Sequence, residues 1–209
     1  MFQEVTALKV VQDSEYFPKL IGIIAAPFVN SFVMEFMGDW KTHKSSTLSK
    51  QLDKTRKRIS RKHWLLIIKD VGNGLKHLHG KGYIHCDLHS GNVLVCRRLP
   101  NETRPRAKII DLGKAVPRTS ATGLGYRSES GKLNVYKNCR QIAPEIVEAE
   151  SFYTVQSDIY AYGHMVQNIA ESRPIPALLP LASDCQHRNP SDRCTIGHVF
   201  RGIDAILNK

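Results

Sequence analysis

Tyr83-Ile84-His85-Cys86-Asp87-Leu88-His89-Ser90-Gly91-Asn92-Val93-Leu94 is the stretch on which the reading of this chain turns. It sets one carboxylate, Asp87, five positions ahead of one amide, Asn92, and runs into the apolar piece Val93-Leu94-Val95. Further on, Ile109-Ile110-Asp111-Leu112-Gly113 repeats the arrangement of an apolar run ending in an acid, and Ile142-Ala143-Pro144-Glu145 follows. Asp and Asn favour turns, which explains each polar residue singly but not their joint spacing. Gly113 permits a sharp backbone turn directly after Asp111.

In this order the three stretches resemble the catalytic loop, the D-F-G metal motif and the A-P-E triplet of eukaryotic protein kinases. Phosphoryl transfer depends on positioning and charge neutralisation rather than covalent chemistry by the protein. The resemblance therefore implies Asp87 as the carboxylate that orients the attacking hydroxyl and accepts its proton. Asn92 and Asp111 become the oxygen donors for Mg²⁺, a cation that prefers hard oxygen ligands. His89 stands where many kinases carry a lysine and could donate to a γ-phosphate oxygen. Phe32-Val33-Met34-Glu35-Phe36-Met37 is similar to the strand entering the kinase hinge. It implies Met34 as gatekeeper, the backbone of Glu35 and Met37 as adenine contacts, and Leu94 as part of the same ATP pocket. Glu4 matches the helix-C glutamate. Ser157-Asp158-Ile159-Tyr160-Ala161-Tyr162-Gly163 resembles the start of the large central helix, with Asp158 buttressing the catalytic loop. Asn189-Pro190-Ser191-Asp192-Arg193 resembles the late segment whose arginine pairs with the glutamate of A-P-E, here Arg193 with Glu145.

The fold implied is α+β and protein-kinase-like. Residues 1–37 are expected to form a residual small lobe of one helix and a few antiparallel strands. Residues 38–209 would form a mostly helical large lobe, with the catalytic loop at 83–95 and the activation segment at 111–145. The function implied is transfer of the ATP γ-phosphate to a protein hydroxyl, with ATP and Mg²⁺ as cofactors, a protein as substrate and regulatory proteins as further partners. The family pattern begins ahead of Met1: neither a G-x-G-x-x-G loop nor a V-A-I-K-like strand precedes the hinge. The chain is thus expected to be an incomplete kinase domain, with a catalytically weak, pseudokinase-like interaction module as the alternative. Cys86 replaces the arginine that grips a phosphorylated activation loop, and a thiol cannot make that bidentate contact. His85-Cys86-Asp87-Leu88-His89-Ser90-Gly91-Asn92 also fits the wording of small-molecule phosphotransferases of the aminoglycoside or choline kinase kind. The A-P-E triplet, the Ser157–Gly163 stretch and Arg193 argue against that.

Composition agrees with one globular body: 209 residues, 42% hydrophobic and 23% charged. The net charge of +11 comes from 30 Lys+Arg against 19 Asp+Glu. Much of it falls in Lys41, Lys44, Lys50, Lys54, Arg56, Lys57, Arg58, Arg61 and Lys62. No aromatic residue interleaves that run before Trp64, so it reads as a solvated helical face rather than a nucleic-acid site. Five unpaired-looking cysteines suit a reducing compartment. Cys185, His187, Cys194 and His198 lack zinc-finger spacing and read as coincidence. Leu20 to Val29 is too short to span a bilayer and the start is no signal peptide, so the expected setting is cytoplasmic, without membrane.

Apolar spacing predicts helices over 3–12, 61–79, 157–170 and 194–207, and strands at 20–24 and 31–37. Val93–Val95 and Lys108–Ile110 suit a two-stranded ribbon. Residues 114–142 lack periodicity and read as one long loop, and Pro174 to Pro180 as a connector.

Overall fold

A computed structural model describes residues 2–26, 29–39, 42–53, 59–96, 104–123, 125 and 128–208. Helix α1 (Phe2–Val10) buries Val5, Ala7 and Leu8. Strands β1 (Leu20–Ala26) and β2 (Val29–Met34) pair antiparallel. Among the described residues their sheet has these two strands alone, and Ile21, Ile23, Ile24 and Val33 are exposed on it. β2 stops at Met34, so Glu35–Met37, read as strand from the sequence, lie outside any strand.

A short helix α2 (Leu48–Gln51) precedes α3 (Arg61–Gly80). Helix α3 starts where Ser60 Oγ accepts the His63 N–H. Its expected stripe of Trp64, Ile68, Val71, Leu75 and Leu78 is buried, and Leu65 and Ile67 widen the buried face. The helix ends before Gly82, whose φ of 80° suits glycine. The basic run is not one helical face. Lys44 lies in a loop, Lys50 on α2, and Arg61 and Lys62 open α3, all exposed, while Lys41, Lys54, Arg56, Lys57 and Arg58 lie outside the described residues.

After α3 come β3 (Tyr83–Ile84), β4 (Val93–Cys96) and β5 (Arg106–Ile109). β4 and β5 form the expected antiparallel ribbon, with Val93 opposite Ile109 and Leu94 opposite Lys108. β3 pairs instead with β6 (Val116–Pro117), which draws the start of the activation segment back against the catalytic loop.

Residues 114–142 are not one loop. They hold β6, a 3₁₀ turn at Arg118–Ser120 and helix α4 (Glu129–Asn138). Only Val135 of α4 is buried, so no apolar stripe marked it. It is held by a cap, Ser128 Oγ accepting the Gly131 N–H, and by a tether. Glu148 accepts from Tyr136 Oη at 2.6 Å and pairs with Lys132 at 2.9 Å.

Helix α5 (Pro144–Val147) follows, then α6 (Val155–Ser172), which opens on a capping box between Thr154 and Ser157. Tyr162 of α6 is fully buried and donates through its hydroxyl to the Ile68 carbonyl of α3. The proline stretch is also more than a connector. It holds a 3₁₀ turn at Pro176–Leu178 and helix α7 (Leu179–Cys185), because proline is tolerated in a first turn, where its missing N–H costs nothing. Helix α8 (Ile196–Leu207) closes the chain.

α6 packs tightly on α7 at Gly163. A Cβ there would stand 2.4 Å from Cys185 Cβ and 3.0 Å from the Ala182 carbonyl oxygen. Gly163→Ala is therefore expected to destabilise the protein by about 1–3 kcal/mol through overpacking. A lowered urea midpoint checks this, and an unchanged midpoint would mean that α7 simply moves aside.

The result is a kinase-like fold, mostly helical, with a few antiparallel strands in small sheets. Among the described residues, no helix is long and apolar enough to cross a membrane.

Candidate active site

The loop that carries Asp87 is shaped from below by Asp158, in the first turn of α6. Its Oδ2 accepts from His79 Nε2 and from the His85 N–H, both at 2.8 Å, and its Oδ1 accepts from the Cys86 N–H at 3.0 Å. Asp158 is 1% exposed, so these three donors are what make a buried carboxylate tolerable. They also hold Cys86 at φ 64°, a left-handed backbone that non-glycine residues rarely adopt. Burial pushes the Cys86 thiol far above its usual pKa, with Asp158 and Asp87 adding to the shift.

Next to it, His85 is fully buried, and its Nδ1 accepts the Asp87 N–H at 3.3 Å. Burial lowers the pKa of the ring, against the pull of Asp158 and Asp87. Leu88, 1% exposed, anchors the loop in the core. Asp87 also lines a crevice of about 10 Å³, room for one water, with Gln141, Ile142, Ala143, Tyr153, Ser157, Asp158 and Ala161. Its backbone oxygen accepts from Asn92 Nδ2 at 3.0 Å, and its Oδ2 lies 3.0 Å from Lys114 Nζ. His89 turns back on its own loop, where Nδ1 accepts the Gly91 N–H at 3.0 Å.

Asn92 and Asp111 leave the same end of the β4–β5 ribbon. Val93 faces Ile109, and the Ile110 N–H donates to the Asn92 carbonyl at 2.9 Å. Asp111 is exposed and left-handed at φ 59°, ψ 69°, and its Oδ1 accepts the Gly113 N–H. Leu112 beside it is fully buried. Glu4 of α1 faces this turn, within 4.0 Å of where a Gly113 Cβ would stand. Burial raises the Glu4 pKa, and the Asp111 charge raises it further. Gln3 Nε2 donates to the Ala115 carbonyl, tying α1 to the same turn.

On the hinge side, the Glu35 N–H donates to the Lys19 carbonyl at 2.7 Å, and the Met37 carbonyl accepts from Ser45 Oγ at 2.7 Å. Glu35 Oε2 takes the ammonium of Lys108 at 2.7 Å. Lys108 is 4% exposed and also donates to the Phe17 carbonyl. Leu94 is its cross-strand partner, half-buried on the same face of the ribbon. Met34 packs against the core.

Farther off, Arg193 and Glu145 form the expected buried pair, with two bonds of 2.8 and 2.6 Å. Lys114 and Lys108 were not singled out in the sequence. The signal for Lys114 was a cation directly after Asp111-Leu112-Gly113. Lys108 gave none beyond a charge inside an apolar run. Cys185 and Cys194 lie with Sγ atoms 3.4 Å apart, while His198 turns to Asp184. Among the described residues, no three His, Cys, Asp or Glu side chains converge as a metal site would require.

A helical fold whose catalytic-type loop is held by the central helix, with an acid-bearing ribbon beside it, defines a kinase-like protein. Comparison with known proteins gives the family. The sequence model of the protein tyrosine and serine/threonine kinase family matches residues 1–180, and the chain belongs to that family. It is similar to the serine/threonine/tyrosine-protein kinase HT1 of Arabidopsis thaliana, 27% identical, with 93% of this chain and 51% of the relative covered. It is also similar to ephrin type-A receptor 8 of Mus musculus, 27% identical over 68% of this chain and 16% of the receptor. A probable serine/threonine-protein kinase of Dictyostelium discoideum is 36% identical over 50% of this chain and 7% of its own length. The chain thus spans about half or less of these relatives.

Proposed function

We propose that this chain is a protein kinase domain that transfers the γ-phosphate of ATP to a protein hydroxyl. The observation that carries the reading is Asp87 with Asn92 bonded to its backbone, and Asp111 exposed at the ribbon end that Asn92 also leaves. In this reading residues 1–37 and 38–209 are the two lobes. Met34, Leu94, the Glu35 carbonyl and the Met37 N–H receive adenine, since the Glu35 N–H and Met37 carbonyl are already committed.

The donor set fits Mg²⁺. Asn92 spends its Nδ2 on Asp87, which leaves the oxygen end of the amide as its acceptor. Burial and the Asp111 charge raise the Glu4 pKa, a cost that a cation beside these acids would relieve. When bound, Mg²⁺ supplies charge neutralisation at the phosphates. Asp87 orients the acceptor hydroxyl and takes its proton, and the Asp158 network keeps Asp87 in place. Five free cysteines fit a reducing, cytoplasmic setting.

A second reading, an interaction module with weak transfer, is favoured by Glu4: among the described residues no Lys or Arg forms an ion pair with it. One experiment decides between them. The purified chain with γ-labelled ATP, Mg²⁺ and a protein acceptor is expected to label the acceptor, and EDTA to abolish the label. Nucleotide binding without any labelling would favour the interaction module.

A further inference from the structure

Phosphoryl transfer spreads negative charge over the equatorial oxygens of the moving group, beside a carboxylate that is itself negative. Such a site is served by a cation that reaches both. His89 is poorly placed for this. Its Nδ1 accepts the Gly91 N–H, which leaves Nε2 as its one donor in the neutral ring, and the ring folds onto its own turn, 2.7 Å from where a Gly91 Cβ would stand.

Lys114 is well placed. Its Nζ lies 3.0 Å from Asp87 Oδ2. An ammonium has three donors, so one bond to Asp87 leaves two. The Lys114 side chain is 66% exposed, so its remaining donors are open to a ligand. Its backbone is nevertheless fixed. It ends the 3₁₀ turn Leu112–Lys114, which is closed by the Ala115 N–H on the Leu112 carbonyl, anchored by buried Leu112 and tied to α1 through Gln3. An exposed ion pair of this kind adds little to stability, so stability does not account for it.

We propose that Lys114 is a catalytic residue, its ammonium bridging the Asp87 carboxylate and a γ-phosphate oxygen of the bound nucleotide. The proposal rests on the kinase reading above. The bond from the γ-phosphorus to the β,γ-bridging oxygen breaks, and its electron pair leaves on ADP. A bond from phosphorus to the acceptor oxygen forms, and the hydroxyl proton passes to Asp87. Lys114 stays protonated throughout and gives up no proton.

Two measurements on the full chain test it. The first is reductive methylation of lysines, read by peptide mass spectrometry, with binding of a fluorescent ATP analogue followed separately. A non-hydrolysable ATP analogue with Mg²⁺ is expected to slow methylation of Lys114 severalfold, and ADP with Mg²⁺ to leave it unchanged. The second is kinetic. Lys114→Ala is expected to lower kcat by about 10²-fold and to change KM for ATP by no more than about threefold, the pattern of a contact already present in the bound nucleotide that strengthens as charge develops in the transition state. Lys114→Arg should recover most of kcat. Equal Lys114 methylation with the triphosphate and diphosphate bound, or an unchanged kcat in Lys114→Ala, overturns the role of Lys114 while nucleotide binding and Asp87-dependent transfer survive. Failure of the fluorescent nucleotide to bind overturns the kinase reading, and the role of Lys114 with it.

Discussion

Asp87→Asn is expected to lower phosphate transfer by about 10²–10⁴-fold, the range for loss of a positioned general base, and to leave nucleotide affinity nearly unchanged. The substitution keeps side-chain volume. It spares the bond from Asn92 Nδ2, because that bond uses the Asp87 backbone oxygen rather than its carboxylate. The bond from the Asp87 N–H to His85 Nδ1 is likewise spared. What is lost is a proton acceptor and the charge that holds Lys114 at 3.0 Å. Steady-state transfer rates and titration with a fluorescent nucleotide, run on both proteins, check this. Transfer surviving within a few fold would remove Asp87 from its role.

Arg193→Ala carries the largest expected effect on stability, a loss of about 3–5 kcal/mol, because it strands a buried charge. Arg193 is 4% exposed and Glu145 6% exposed. Besides its two bonds to Glu145, the guanidinium donates to the carbonyls of His187, Gln156 and Arg188, so one side chain fastens the foot of the activation segment to α6 and to the turn before α8. Glu145→Ala should cost a similar amount. The double change Arg193→Met with Glu145→Leu should cost less than the sum of the two, since no charge is left unpaired. Urea unfolding of the three variants measures this. Single losses under about 1 kcal/mol would mean that water reaches the pair and screens it.

These side chains were legible because their chemistry is local in sequence. Asp87, Asn92 and Asp111 stand at fixed distances from apolar runs that become strands, and the β4–β5 register follows from those runs. Helix α3 was legible because Trp64, Ile68, Val71, Leu75 and Leu78 repeat at helical spacing. Helix α4 was not. It buries Val135 alone, contains Gly131 and depends on Glu148, so its stability comes from a cap and a tether rather than a stripe. Helix α7 hid behind prolines that read as breakers, although Pro180 sits in its first turn, and Leu181, Ala182 and Cys185 point inward. The pairing of Lys114 with Asp87 depends on the left-handed turn at Asp111, a backbone choice that residue identity alone does not reveal. Cys86 at φ 64° escaped for the same reason, since the force that holds it comes from Asp158, 72 residues away.

Lys108 gives the hinge side a mechanical character. One buried ammonium joins the strand that runs into Asp111 to Glu35 and to the Phe17 carbonyl, while the Ile109 N–H holds Tyr16 alongside. Prising that seam apart would give up the ammonium's bonds to Glu35 and to the Phe17 carbonyl, each about 1.5–3 kcal/mol, so few molecules at equilibrium would stand ajar there. The hinge side therefore behaves as a welded joint, whereas α1 meets the Asp111 turn through apolar packing of Ala7 and Leu8 in the core shared with Leu112 and Ala115, the Gln3 bond, and a Glu4 carboxyl that burial and the Asp111 charge make costly to ionise.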